Sequence, residues 1–195
     1  MIPSQPIEAL RYVSLLALGV VLLAGLWVLI SAKHEHGSAA SISERLSGNR
    51  QQFITMALFL TLLGAVFYSS MYWWLAPTYH LPVLFYIILS IAYIAQLVLA
   101  WTPYSGKSER HTQLHTHGGE FVACAMGLSM VLVFAGNHTT LPFFSYWITL
   151  TSIIFSVIAI ALYIGAPKMR EHFVVYESIY ILLFAGAIVT LTLKI

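Results

Sequence analysis

The chain reads as all-α: a polytopic membrane bundle of six transmembrane helices with both termini on the extracytoplasmic side. Three observations lead there. Of its 195 residues, 59% are hydrophobic and 8% charged, whereas a soluble domain carries about 25% charged residues. Mean hydropathy is +0.85. The apolar residues fall into six runs, each near the roughly 20 residues that a helix needs to cross a bilayer. The positive charges collect in alternate connections between those runs.

The runs cover 8–31, 52–75, 81–101, 118–136, 142–165 and 173–193. The first is too long for the h-region of a signal peptide, about 7–15 residues, and its n-region is poor, so it reads as a retained span. The connections 32–51, 102–117 and 166–172 are long; 76–80 and 137–141 barely turn a helical hairpin. None has room for a soluble domain, so residues 1–195 read as a single domain. The long connections carry Lys33, Arg45, Arg50, Lys107, Arg110, Lys168 and Arg170, against Arg11 and Lys194 on the other side. Cytoplasmic loops carry the excess of Lys and Arg, which puts the long connections in the cytoplasm.

On the opposite side the aromatic rings of Tyr68, Tyr72, Trp73, Trp74 and Tyr79 at one hairpin, and Phe143, Phe144, Tyr146 and Trp147 at the other, read as a belt anchored at headgroup level. His80 and His138 in the short loops are expected to face water. Asn137-His138-Thr139 matches a glycosylation sequon, read as accidental so close to the membrane.

Composition excludes several classes. All seven acidic residues are Glu, and a net charge of +2 is too small for nucleic-acid binding. The single Cys124 cannot form an intrachain disulfide; in an apolar run it is expected to be a buried structural thiol. No Lys lies inside a span, and there is neither a phosphate-binding loop nor a CxxC pair.

Polar chemistry gathers on the cytoplasmic side. His111-Thr112-Gln113-Leu114-His115-Thr116-His117-Gly118-Gly119-Glu120 opens the fourth span, and ionisable groups at a membrane boundary are functional candidates. On a helix His111 and His115 share one face, and His117 and Glu120 another, with Cys124 a turn further on. His111, His115, His117 and Glu120 are the candidate metal ligands: imidazole and carboxylate suit a divalent metal such as zinc. Without metal, the glutamate orients a histidine base or the histidines simply hydrogen-bond. Gly118-Gly119 either breaks the helix or lets another backbone approach closely.

Glu177 lies about one turn inside the last span and needs a partner there; His115, His117 and Arg45 are candidates at that depth. Ser43 and Glu44 belong to the first long connection. Ser43 or Ser47 fits a helix cap, and Ser43 beside His115 would be a nucleophile. Lys33-His34-Glu35-His36-Gly37 reads as a solvated loop.

Three elements together resemble a six-helix, mostly bacterial integral membrane family, domain of unknown function 998. Ile42-Ser43-Glu44-Arg45-Leu46 is similar to its "ISEL" box. Trp101-Thr102-Pro103-Tyr104-Ser105 stands where that family has a box resembling F-P-x-D, followed by the histidines opening span four. Here Ser105 stands at the place of the aspartate, or the aspartate is missing, and the box glycine is displaced to Gly48. The resemblance implies the fold and the topology, and no activity; the expected location is a bacterial inner (cytoplasmic) membrane.

The function read from these residues is a His/Glu-rich site at the cytoplasmic interface that binds a lipid headgroup, an ion or a partner subunit, with basic residues suited to anionic lipid. One alternative is a membrane-embedded lipid hydrolase or modifying enzyme, with or without metal, whose catalytic candidates are His115, His117, Glu120, Glu177, Ser43 and Glu44. The other is a proton-linked channel or carrier with Glu177 and His115 or His117 as relay groups. Membrane lipid is the expected partner, beside a homo-oligomer or a membrane subunit.

Overall fold

The computed structural model of the protein describes residues 5–31, 50–102, 109–165 and 173–195. Its described residues form six long helices and no strand. α1 is Ala9–Ser31. α2 is α-helical over Arg50–Ser70, widens into a π-helix over Met71–Leu75 and ends in the turn Ala76–Thr78. α3 is Val83–Trp101, α4 Glu109–Asn137, α5 Phe143–Gly165 and α6 Phe173–Leu193. These match the six apolar runs closely, except that α4 already begins in the polar stretch at Glu109. Among the described residues, four helices are long and apolar enough to cross a membrane: Phe53–Thr78, Val83–Trp101, Gln113–Asn137 and Phe143–Leu162. Ala9–Val20 and Ile179–Leu193 are shorter apolar stretches within α1 and α6.

Each helix packs on the next in sequence, and α1 closes the set against α6. Hydrogen bonds then tie both chain ends and both short turns together at one end of the bundle. Arg11 Nε donates to Thr192 O at 2.6 Å, and Tyr79 OH donates to Leu191 O at 2.7 Å. Asn137 Nδ2 donates to Tyr79 O at 3.0 Å and to Val133 O at 3.1 Å. Ser145 donates to Ile195 O through both its backbone N–H and its hydroxyl. The amide of the apparent sequon is thereby engaged in holding two turns together.

The local sequence explains the shape of α2. Pro77 has no N–H to give the carbonyl four residues back, and its ring crowds that carbonyl. The carbonyl is that of Trp73; it accepts instead from Ile7 N at 2.9 Å, outside the helix. The π-helical turn ends one residue short of this proline and contains the crowded carbonyl, where a wider turn relieves the crowding. α2 ends with Leu81 N donating to Ala76 O and His80 N to Pro77 O, while His80 takes φ 49°. This is a Schellman ending with histidine in the left-handed position that glycine usually fills. Pro82 and Pro142 then stand just ahead of α3 and α5, where a missing N–H is harmless.

α4 passes unbroken through Gly118-Gly119, and the glycines serve close approach. A Cβ on Gly118 would lie 3.4 Å from Ala95 O and 3.5 Å from Leu99 N, so the backbones of α3 and α4 nearly touch. Gly119 faces only the Leu99 side chain, at 3.8 Å.

Two expectations need correction. Cys124 is exposed on the outer face of α4, because an apolar run in a membrane need not face the bundle interior. The first aromatic group is largely core: Trp74 is 1% and Tyr68 5% exposed, whereas Trp73 is 38% exposed. Helical periodicity turns Tyr68, Met71, Trp74 and Leu75 inward, a separation that composition cannot make. Phe143, Phe144 and Trp147 do face outward, and His80 and His138 are exposed as expected.

Gly118→Ala should leave stability nearly unchanged, because its methyl group enters ordinary van der Waals contact. Gly118→Leu should cost about 1–3 kcal/mol by forcing α3 and α4 apart. Gly119→Leu should cost less, and thermal unfolding in detergent ranks the three. Burial pushes the Tyr79 phenol up to about 12, while Arg11 pulls it down. A raised folded-state pKa gives a stabilisation that is full below the unfolded value of 10.0 and lost as pH rises through about 12. Tyr79→Phe should lose about 1 kcal/mol at neutral pH and show a smaller stability loss than wild type between those two values.

Candidate functional site

The polar run from His111 to Glu120 is helical throughout, so its side chains are distributed around α4 at about 100° per residue. His115 and His117, two residues apart, therefore point to nearly opposite sides. Each has a separate role.

His115 turns toward α3. Its Nδ1 lies 2.6 Å from Thr102 O, and the backbone at Leu99 is a further hydrogen-bond partner. A carbonyl can only accept, so the Nδ1 proton sits in this bond and fixes the tautomer. The carbonyls of the last helical turn have no partner inside their own helix. His115 thus caps the C-terminus of α3 from the neighbouring helix. Thr102 is extended at φ −107° and ψ 103°, as the residue before Pro103 must be, and this ends α3 within reach of the imidazole.

His117 turns outward. Its Nδ1 is 2.8 Å from Glu120 Oε2, with the two side chains 64% and 35% exposed. The spacing of three on one helix face brings this pair together as expected. The outer stripe of α4 contains Arg110, Leu114, His117, Phe121, Cys124, Leu128 and Val131, all exposed. Before Glu120 it carries Arg110 and His117 beside Leu114; after it the stripe is apolar, apart from the thiol.

Other predicted site residues are distributed as follows. His111 lies in the first turn of α4 and Glu177 near the start of α6, as the spacing implied; their side chains are outside the described residues. Ser43, Glu44, Arg45 and the Lys33–Gly37 tract are also outside them. The two described candidates for a Glu177 partner, His115 and His117, are engaged with Thr102 and Glu120. Among the described residues no three His, Cys, Asp or Glu side chains gather as metal ligands. Of the proposed metal set, the structure unites His117 with Glu120 and turns His115 away.

Sequence reasoning missed a second feature. A groove of about 420 Å³ opens on the outside between α2 and α3, lined by Ala65, Tyr68, Ser69, Tyr72, Trp73, Leu89, Ser90 and Tyr93. Its signal was present in the aromatic cluster and in Pro77, whose π-helical consequence borders the groove, but it required knowing which face of α2 meets α3. The chain matches no family model, no curated protein and no solved structure.

His115→Ala should cost about 1–3 kcal/mol, because it strands the α3 carbonyls. His115→Gln, which keeps a donor, should recover part of that loss in thermal unfolding. His117→Ala, exposed, should change stability by less than about 0.5 kcal/mol.

Proposed function

We propose that the protein is a six-span, multi-pass membrane protein with both termini extracytoplasmic, which binds a zwitterionic lipid headgroup at the cytoplasmic end of α4. The resemblance of the Ile42–Leu46 box, the Pro103 segment and the following histidines supports placing it in the six-helix bacterial family, and with it in the inner membrane. Two arrangements support the topology: the described residues near both chain ends lie with the two short turns at one end of the bundle, and Arg50 and Arg110 stand at the opposite ends of α2 and α4.

The observation that carries the headgroup reading is the outward His117–Glu120 pair, placed where the stripe passes from Arg110 and His117 to an apolar run. That boundary is the level at which phospholipid headgroups sit. The pair offers a carboxylate beside an imidazole. An ammonium group would meet the Glu120 carboxylate, whose Oε2 is held by the His117 imidazole. Arg110, exposed two turns earlier on the same stripe, adds a cation on the water side, worth about 1 kcal/mol against lipid phosphate. His115 supports the site indirectly by fixing α4 against α3.

Native mass spectrometry of detergent-purified protein, titrated with phosphatidylethanolamine and separately with phosphatidylglycerol, tests this. Glu120→Gln should weaken phosphatidylethanolamine binding about fivefold, the equivalent of one hydrogen bond of about 1 kcal/mol, and leave phosphatidylglycerol unchanged. Arg110→Gln should weaken both. Equal retention of both lipids by wild type and Glu120→Gln would sink the proposal.

A further inference from the structure

The groove between α2 and α3 stands apart from the α4 stripe and has its own chemistry. Its lining contains no charged side chain: it is three tyrosines, a tryptophan, two serines, an alanine and a leucine. Ser69, Trp73 and Ser90 are exposed, so it opens sideways, onto the hydrocarbon, rather than into the bundle. At 1.5 Å rise per residue, Leu89 to Tyr93 lie about 9–15 Å below the start of α3, well inside the apolar span. Its 420 Å³ falls within the range of small-molecule sites, about 300–1,000 Å³.

Its walls are built by local sequence. The π-helical turn carries Tyr72 and Trp73, and such turns occur often at functional sites. The small side chains of Ala65, Ser69 and Ser90 leave the space open. Ring packing holds the walls: Tyr68 lies 5.2 Å from Tyr93, and Tyr72 4.7 Å from Tyr86, between centroids. Ser90 Oγ donates to Tyr86 O at 2.8 Å and Tyr93 OH to Thr61 O at 3.4 Å. Both hydroxyls therefore present lone pairs, while the Trp73 indole carries a donor.

An occupant must come from the bilayer, because the groove opens there. It must be neutral, since no lining charge could meet a phosphate or an ammonium. Aromatic walls favour a flat ring, and polar atoms on those walls favour oxygens at the ring edge. We propose that this groove binds the head of a membrane-dissolved lipid of the quinone class, with its apolar tail trailing into the hydrocarbon. Carbonyl oxygens of the oxidised ring accept from Ser69 or the indole; hydroxyls of the reduced ring donate to Ser90 or Tyr93. Only binding is assigned.

The test uses the whole chain in phosphatidylcholine nanodiscs, titrated with a decyl-tailed benzoquinone while tryptophan fluorescence is read. Wild type should show saturable quenching. Ser90→Leu, which fills the groove, should raise the half-saturation concentration at least about tenfold. Ser69→Ala should raise it about fivefold and keeps the fold if the leucine variant does not. Val157→Leu, on the outer face of α5, should match wild type. Linear quenching that is identical in wild type and the groove variants marks a quinone merely dissolved in the bilayer and overturns the proposal. Displacement by equal concentrations of diacylglycerol assigns the groove to ordinary acyl chains and also overturns it. Two copies of the chain per disc with no saturable quenching would mean that a second copy covers the groove, which overturns it as well.

Discussion

The carbonyls at the C-terminal end of a helix have no donor in their own helix. In this protein the donors come from neighbouring elements. Arg11 and Tyr79 serve the last turn of α6, Asn137 serves the end of α2, and His115 serves the end of α3. Each such bond connects a helix terminus to a partner distant in sequence, so satisfying the backbone also selects the neighbour. The order of helices around the bundle, with α6 returning to α1, follows from these pairings as much as from side-chain packing. The same logic covers Trp73 O, which loses its helical donor to Pro77 and gains Ile7 N.

Between helices, apolar side chains gain little from leaving lipid for protein, so close approach and interhelical hydrogen bonds must do more of the holding. α5 presents Ser145, Thr149, Ser152 and Ser156 to the interior as a buried face of small residues. Ser152 Oγ reaches both Ile148 O and, across the interface, Leu183 O. Tyr180 OH reaches Ala123 O from α6 to α4 at 2.6 Å. A Cβ on Gly127 would lie 3.4 Å from Ser156, so this glycine sets the spacing of α4 and α5. Tyr68 OH, Trp74 Nε1 and Thr149 Oγ1 are buried with no hydrogen-bond partner among the described residues. Each such group costs about 1–3 kcal/mol. The interior is thus held by specific contacts and still contains polar atoms that those contacts do not satisfy.

The architecture was legible because it rests on one-dimensional signals. Runs of apolar residues located all six helices. What could not be read was direction around each helix. Cys124 sits in an apolar run and was expected inside; in a bilayer the outer face of a helix is as apolar as the inner one, so hydropathy carries no sidedness. Trp73 and Trp74 are adjacent and chemically identical, yet one is exposed and the other buried, because about 100° of rotation separates them. The capping bonds were equally hidden: nothing in the sequence near His115 names Thr102, thirteen residues earlier, as its partner.

The stretch from His111 to Glu120 shows how such ambiguity acts on a site. As a string it is a cluster of imidazoles at the membrane edge, and clustering suggests shared chemistry. Once the string is helical, alternate histidines diverge, and the inward one meets a helix end that must be capped. A histidine committed to backbone carbonyls through its proton-bearing nitrogen is a poor relay group, because releasing that proton breaks the cap. The outward one has no such duty. It is paired with a carboxylate and set where the outer stripe of α4 becomes apolar. The polar run therefore divides into an inward half that caps α3 and an outward half that pairs on the surface of α4, and it is the outward half on which the proposed headgroup binding rests.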